Sequence, residues 1–262
     1  MGFVPTMGAL HRGHLSLIEK SQKENSLTVV SLFVNPTQFG PNEDFKKYPR
    51  PWRRDLALLK QHHVKYLFAP TTNSLYASGH PMTTVHVEGV TQALCGLPQF
   101  RGPEHFHGVA TVVAKLFHVV RPTRAYFGMK DFQQVRVIET MTEDLNFGLQ
   151  IVRCTTVRES DGLALSSRNT YLSPEERRLA PKVYAALQYG RKLLRSRTTM
   201  SPQAICQQVR KKLASTSEFK IEYCELLHPD SLQTLRSLKG SKLLAVAVRL
   251  GTTRLIDNIL VN

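Results

Sequence analysis

Long apolar runs are missing from this chain, and so are most signatures that would assign it at sight. No stretch approaches the roughly 20 residues that a helix needs to cross a bilayer. The N-terminus has no basic region leading into an apolar core, so no secretory signal is read. Cysteine is sparse: Cys95, Cys154, Cys206 and Cys224 stand far apart, with no metal-type spacing. These absences point to a cytoplasmic protein with reduced thiols and no membrane partner. The His-Glu-x-x-His pattern of zinc proteases does not occur, and no Gly-Lys-Ser/Thr closes a P-loop. Acidic residues are short as well, 20 against 35 Lys and Arg, for a net charge of +15. Such a field favours anionic partners, either nucleic acid or a small polyanion. The basic residues are spread along the chain, with no dense run and no aromatic RNA-binding signature. Nucleic acid is therefore not the expected partner.

What is present begins at the N-terminus. Residues 2–18 read as a short apolar strand, a glycine turn and a helix opened by two histidines. A helix N-terminus carries about half a positive charge and unpaired backbone donors. Gly8 and Gly13 let backbone approach a ligand, and His11 and His14 share one face of the first turn. Together they form a ready phosphate site.

The 262 residues suffice for one large domain, or for a medium domain with a small one. The first half alternates strand and helix signals. Strands are expected at residues 3–5, 27–34, 65–69, 83–88, 124–128 and 151–154. Helices are expected after Leu15, over residues 52–63 with Leu56 and Leu59 inward, over the valine-rich run ending before Pro122, and over residues 132–145. This alternation implies a parallel, Rossmann-like α/β domain over residues 1–156. Residues 157–262 differ. Ser173-Pro174 starts a helix expected to run to about Arg197, and Ser201-Pro202 starts another. Strands are expected at residues 221–227, 243–249 and 254–259. This is a smaller C-terminal α+β domain.

Three further strings carry polar chemistry. Asn35 and Gln38, in NPTQF, follow the second strand, where parallel sheets bind ligands, and their amides suit a hydroxy acid. Lys130 and Asp131 follow the strand that ends at Gly128. The lysine can reach phosphate oxygens, the carboxylate can accept from ribose hydroxyls, and Gln134 lies one turn further on. In DGLALSSRN, Ser166, Ser167 and Arg168 suit a loop closing over a triphosphate.

Jointly, PTMGALH from Pro5, NPTQF from Asn35, KDFQQ from Lys130 and DGLALSSRN from Asp161 resemble the pantothenate synthetases (pantoate–β-alanine ligases) of the nucleotidylyltransferase superfamily. The likeness runs through LIDN, which starts at Leu255. It implies that pantoate carboxylate attacks the α-phosphorus of ATP, giving pantoyl adenylate and pyrophosphate. The amine of β-alanine then displaces AMP. Magnesium accompanies the ATP, and a homodimer is expected. Carried over by motif, His14, His11 and Lys130 are catalytic. Met7, Gly8, Ala9, Leu10, His11, Arg12, Gly13 and His14 line the nucleotide, with Gly128, Met129, Lys130 and Asp131. Val157, Leu165, Ser166, Ser167 and Arg168 complete the ATP site, over which the smaller domain closes. Gln38, Gln134, Met7 and Asn35 hold pantoate, and Gln38 also meets β-alanine. His105 is a further candidate, and Val109, Val112 and Val113 would wall in pantoate's methyls or simply form helix core. No protein metal ligand is assigned.

The chain departs from the family pattern in several places. Met129 stands where glutamate is usual, and Cys95 where another glutamate is frequent. Arg101, Glu104 and His105 lie in an altered, longer loop. An acidic pair is reduced to Asp55 beside Arg54, so no magnesium role is expected there. The chain opens directly on the first strand, where relatives usually carry a leading segment; either the start was assigned late or that segment is lacking, which would expose the sheet edge or interface it covers. The alternative reading is another adenylyl-forming member of the superfamily, such as one that binds RNA. Against it, Lys-Met-Ser-Lys-Ser is absent.

Overall fold

Five short strands of apolar and β-branched residues lie parallel in the first half of the chain. In chain order they are β1 (Gly2–Thr6), β2 (Thr28–Leu32), β3 (Tyr66–Phe68), β4 (Arg124–Gly128) and β5 (Gln150–Cys154). Their spatial order is β3-β2-β1-β4-β5. The computed structural model describes residues 1–41, 43–196 and 199–262. Two units are delimited, Met1–Thr156 and Val157–Asn262.

Phe3, Val4, Val30 and Tyr126 are wholly buried, as parallel strands require when helices cover them. Helix α1 (Arg12–Glu24) turns Leu15, Leu17 and Ile18 inward. Helix α2 (Trp52–Gln61) buries Leu59, but its second buried residue is Asp55, and Leu56 is only half-buried. A four-residue helix, α3 (Thr72–Leu75), follows β3. Helix α4 (Pro103–Val120) starts with proline at its first position and ends before Arg121, whose φ is 51°. Helix α5 (Phe132–Asp144) completes this unit.

Residues 83–88 do not form the expected strand. The Val85 amide donates to the Thr111 hydroxyl at 2.8 Å instead of to a neighbouring strand. Alternation favours an extended backbone, but a strand needs a ladder partner.

In the second unit the expected long helix is two: α6 (Pro174–Leu179) and α7 (Lys182–Arg195). Pro181 separates them, because a proline lacks the N–H that a continuous helix needs. Arg197, the expected end, lies outside the described residues. After α8 (Pro202–Ala214) come β6 (Phe219–Leu227), β7 (Lys242–Leu250) and β8 (Thr253–Val261), an antiparallel sheet in that order. The central β7 buries every residue except Arg249. Its Leu244, Val246 and Val248 join Val183, Leu187, Val209 and Leu213 in one core.

Candidate active site

The strand order reverses between β1 and β4. That is where open α/β sheets bind ligands, at the carboxyl ends of the strands. The two strands pair only at Gly2↔Arg124 and Phe3↔Ala125, whereas β1 pairs with β2 along its whole length. Beyond Phe3 the β1–β4 ladder has ended. The histidine turn leaves β1 on one side of this point, and Lys130 leaves β4 on the other.

The turn after β1 is held from within. Gly8 has φ +79° and Ala9 φ 50°, so the backbone passes twice through the left-handed region. Asp55 reaches in from α2 and accepts from the amides of Ala9 and Leu10, both at 2.8 Å. The Gly8 amide donates to the Thr6 hydroxyl at 3.1 Å. The Gly13 amide donates to Nδ1 of His11 at 3.1 Å. Four of its amides are already bonded inside the protein. Arg12 and His14, at the first and third positions of α1, keep the N-terminal amides that have no intrahelical partner.

His11 is the N-cap of α1, so the capping role and the site role fall on one residue. Accepting at Nδ1 fixes its neutral tautomer with the proton on Nε2. Its ring stacks on His14, centroids 4.1 Å apart. Both rings resist protonation. Burial holds His11 down at about 4, helped by the charges of Lys130 and Arg54 and opposed by Asp131. Burial, then the neighbouring His11 and Lys130, brings His14 to about 3. Among the described residues the buried Nδ1 of His14 meets no hydrogen-bond partner. The pair is therefore neutral at physiological pH and set beside a lysine.

Lys130 lies on a single 3₁₀ turn, Met129–Asp131, and pairs with Asp131 at 3.5 Å. Gln134 follows on α5, half-buried. Gln133 is the buried one: it accepts from the Cys95 amide at 3.0 Å and donates to the Val90 carbonyl at 2.9 Å. Cys95 thus stands on a loop pinned from α5.

After β2, Gln38 is 8% exposed and donates from Nε2 to the Met7 sulfur at 3.0 Å. Two residues expected at pantoate are thus in contact. Asn35 is different. Its Nδ2 donates to Gly108 O and Gln38 Oε1, and its Oδ1 accepts from the hydroxyls of Tyr76 and Thr37. Its amide is committed to the protein, and one of its bonds holds Gln38. Helix α4 comes close here, since a Cβ on Gly108 would lie 2.2 Å from the Thr37 carbonyl. Val109, Val112 and Val113 on the same helix are buried.

A polar chain backs Gln38. His105 sits 2.6 Å from the Gln38 carbonyl through Nδ1 and 3.0 Å from Arg101 Nη1 through Nε2. Arginine can only donate, so Nε2 accepts and Nδ1–H donates to Gln38. Arg101 grips Glu43 with two bonds of 2.6 Å.

The second-unit candidates form a hairpin and a turn. Arg158 bridges to Ala164, and the Leu165 amide donates to the Val157 carbonyl at 3.0 Å. Arg158 grips Asp257 with two bonds, 2.6 and 2.9 Å, and stacks 3.8 Å above the Tyr184 ring. Asp257 belongs to the LIDN string, whose place in the pattern is thereby explained. Ser166 caps a 3₁₀ turn, Ser167–Tyr171, by accepting from the Arg168 amide.

Sequence reasoning passed over Asp55, Tyr76 and Glu43 as supports within the first unit, and Asp257 as the support of the Arg158 hairpin within the second. Asp55 did leave a signal. It lies four residues before Leu59, on the inward face of α2, and a buried carboxylate must find donors. Tyr76 and Glu43 left none, because their partners are distant in sequence.

The chain resembles known proteins along its length. A sequence model described as pantoate-beta-alanine ligase matches residues 1–260. A pantothenate synthetase from Acetivibrio thermocellus is 48% identical over 261 residues, covering 100% of this chain and 91% of the relative. One from a Sulfurihydrogenibium species is 50% identical over 260 residues, covering 99% and 91%. The crystal structure of pantothenate synthetase from Thermus thermophilus superposes with a TM-score of 0.93 at 47% identity, covering 98% of this chain and 92% of that one. That of pantoate-beta-alanine ligase from Francisella tularensis, complexed with beta-gamma ATP and beta-alanine, gives 0.78 at 35%, covering 99% and 88%.

Proposed function

Because this chain belongs to the pantoate–β-alanine ligase family, we propose that it makes pantothenate at the β1–β4 switch point by way of a pantoyl adenylate. The activity is that of a ligase that joins pantoate to β-alanine at the expense of ATP. The alternative of a different, RNA-binding adenylyl enzyme is not favoured by these likenesses.

One observation carries the residue assignment: two stacked, neutral imidazoles beside Lys130, at the place where the sheet's order reverses. In the first step a pantoate carboxylate oxygen bonds to the α-phosphorus, and the bond to the pyrophosphate oxygen breaks. Negative charge grows on the phosphoryl oxygens. Fixed donors meet it: Nε2–H of His11, the ring of His14, the Lys130 ammonium and the backbone amides of Arg12 and His14 at the start of α1. Such donors are typically worth about 2.7–4 kcal/mol of barrier each. In the second step the β-alanine amine attacks the acyl carbon, AMP leaves with the C–O electrons, and the amine loses a proton. No covalent enzyme intermediate is needed.

Gln38 and Gln134 hold pantoate, with Met7 against it, and Gln38 also meets β-alanine. Asn35 acts through Gln38 as a positioning residue, and so do His105 and Arg101. Gly128, Met129 and Asp131 contact the nucleotide, as do the residues of the turn after β1. Val157, Leu165, Ser166, Ser167 and Arg168 supply further nucleotide contacts. The chain works as a homodimer in the cytoplasm.

Magnesium comes with the nucleotide in this reading. Among the described residues no group of three or more His, Cys, Asp or Glu side chains is placed to hold a metal ion. Both carboxylate oxygens of Asp55 are taken by amides. Asp131 would lend one carboxylate to an ion held mainly by phosphate and water, which is magnesium's habit. The ion would neutralise phosphate charge.

Pyrophosphate release with ATP and pantoate, before β-alanine is added, tests the reaction order. Label carried from pantoate's carboxylate oxygen into AMP tests the adenylate. Turnover with another carboxylate and none with pantoate would reject the proposal.

A further inference from the structure

The fold brings together two of the four cysteines that the sequence leaves scattered. Cys206 lies on α8 and Cys224 on β6. The Cys224 thiol donates toward the Cys206 carbonyl at 3.7 Å, which brings its sulfur against Cys206. Cys206 is partly exposed, whereas Cys224, Cys95 and Cys154 are buried. Arg210, one helical turn after Cys206, adds a positive charge beside it and reaches Glu225 on β6 at 3.3 Å.

The two thiols are therefore unequal. The neighbouring Cys224 thiol favours thiolate on Cys206 and holds its pKa below the ordinary value, against burial and the Glu225 charge and with a smaller contribution from Arg210. The neighbouring Cys206 and burial push Cys224 up, so it keeps its proton. Burial also pushes up Cys154. The reactive form of cysteine is the thiolate, and a redox-sensitive cysteine is accessible, acidic and placed beside a second thiol. All three conditions meet at Cys206.

We propose that Cys206 and Cys224 form a peroxide-responsive pair, in which Cys206 is oxidised first and Cys224 closes an intramolecular disulfide. The Cys206 thiolate attacks one oxygen of hydrogen peroxide. The O–O bond breaks, hydroxide leaves, and Cys206 becomes a sulfenic acid. The Cys224 sulfur then attacks the Cys206 sulfur. The S–O bond breaks, water leaves with the Cys224 proton, and the disulfide staples α8 to β6. Peroxide is the oxidant, and a small dithiol restores both thiols.

The test uses the full chain, reduced, freed of reductant and treated with hydrogen peroxide. Remaining thiols are blocked and the peptides are mapped by mass spectrometry. The free-thiol count should fall from four to half that number. A linked Cys206–Cys224 peptide should appear, lighter by two hydrogens, and dithiothreitol should reverse it. In Cys224→Ser a sulfenic acid trapped by dimedone should accumulate on Cys206. In Cys206→Ser the Cys224 thiol should survive the same treatment. If either variant fails to fold, the wild-type peptide map still decides. The absence of the linked peptide from oxidised wild-type protein would overturn the proposal. So would Cys206 passing to sulfinic acid while Cys224 stays free.

Discussion

The turn at residues 7–14 and the hairpin at residues 157–165 both bend around a glycine of positive φ, Gly8 and Gly162. They are held in different ways. The first is gripped by a buried carboxylate that takes two backbone amides, Ala9 and Leu10. The second is gripped by a guanidinium that takes a buried carboxylate, Asp257, and the Gly162 carbonyl. In each, one charged residue is used up in holding backbone, and another of like charge stands in the ligand motif: Asp55 against Asp131, Arg158 against Arg168. A motif rich in charge does not itself say which member faces inward. Burial decides it.

The largest effect should come from breaking the second support. Asp257→Ala leaves the Arg158 charge without its partner and should cost about 3–5 kcal/mol in urea unfolding, as loss of one member of a buried pair does. Next, His14→Ala or Lys130→Ala should slow pyrophosphate release about 10²–10³-fold, with thermal unfolding little changed. Near-wild-type release in both would remove them from the chemistry. Asp55→Asn turns one acceptor into a donor that faces an amide, and should cost about 1–3 kcal/mol of stability for the amide left unsatisfied. If Asp55 positions the histidines, kcat should fall more than KM rises. A stability loss with unchanged kcat would make the clamp purely structural. Ser166→Ala removes a cap and should cost about 1 kcal/mol.

A further change is expected from pH. His11 and His14 have lowered folded-state pKa values of about 4 and 3. The unfolded chain then binds more protons between its ordinary histidine pKa and those values, so stability rises with pH across that window and falls on acidification. Above it these two groups contribute no further slope. NMR of the ligand-free protein should show two imidazoles that do not titrate between pH 8 and about 5. A midpoint near 6.5 for either would show it to be solvated.

Much of this was legible beforehand. The strand–turn–helix at Gly2 and the strings at Asn35, Lys130 and Asp161 could be picked out because their residue types and spacings lie within short stretches of chain. Periodicity found the parallel strands and α4, because burial on one side repeats with the helix turn. It failed where a partner had to come from elsewhere. Residues 83–88 alternate like a strand but meet the Thr111 hydroxyl. Asp55, for which no role was expected, is an amide clamp. Asn35 looked like a substrate ligand and is bonded to Tyr76, Thr37, Gln38 and Gly108. Pro181 could have been read in advance as the break between α6 and α7.

Sequence alone determined which residue types stand at the chain's turns, and with them the α/β class and the family, because local propensity and motif spacing travel with the chain. Only the tertiary structure decided which charges and thiols look inward. A carboxylate, guanidinium or thiol changes its chemistry with burial and with the partner it meets, and Asp55–Ala9, Arg158–Asp257 and Cys206–Cys224 each join segments that only folding brings into contact.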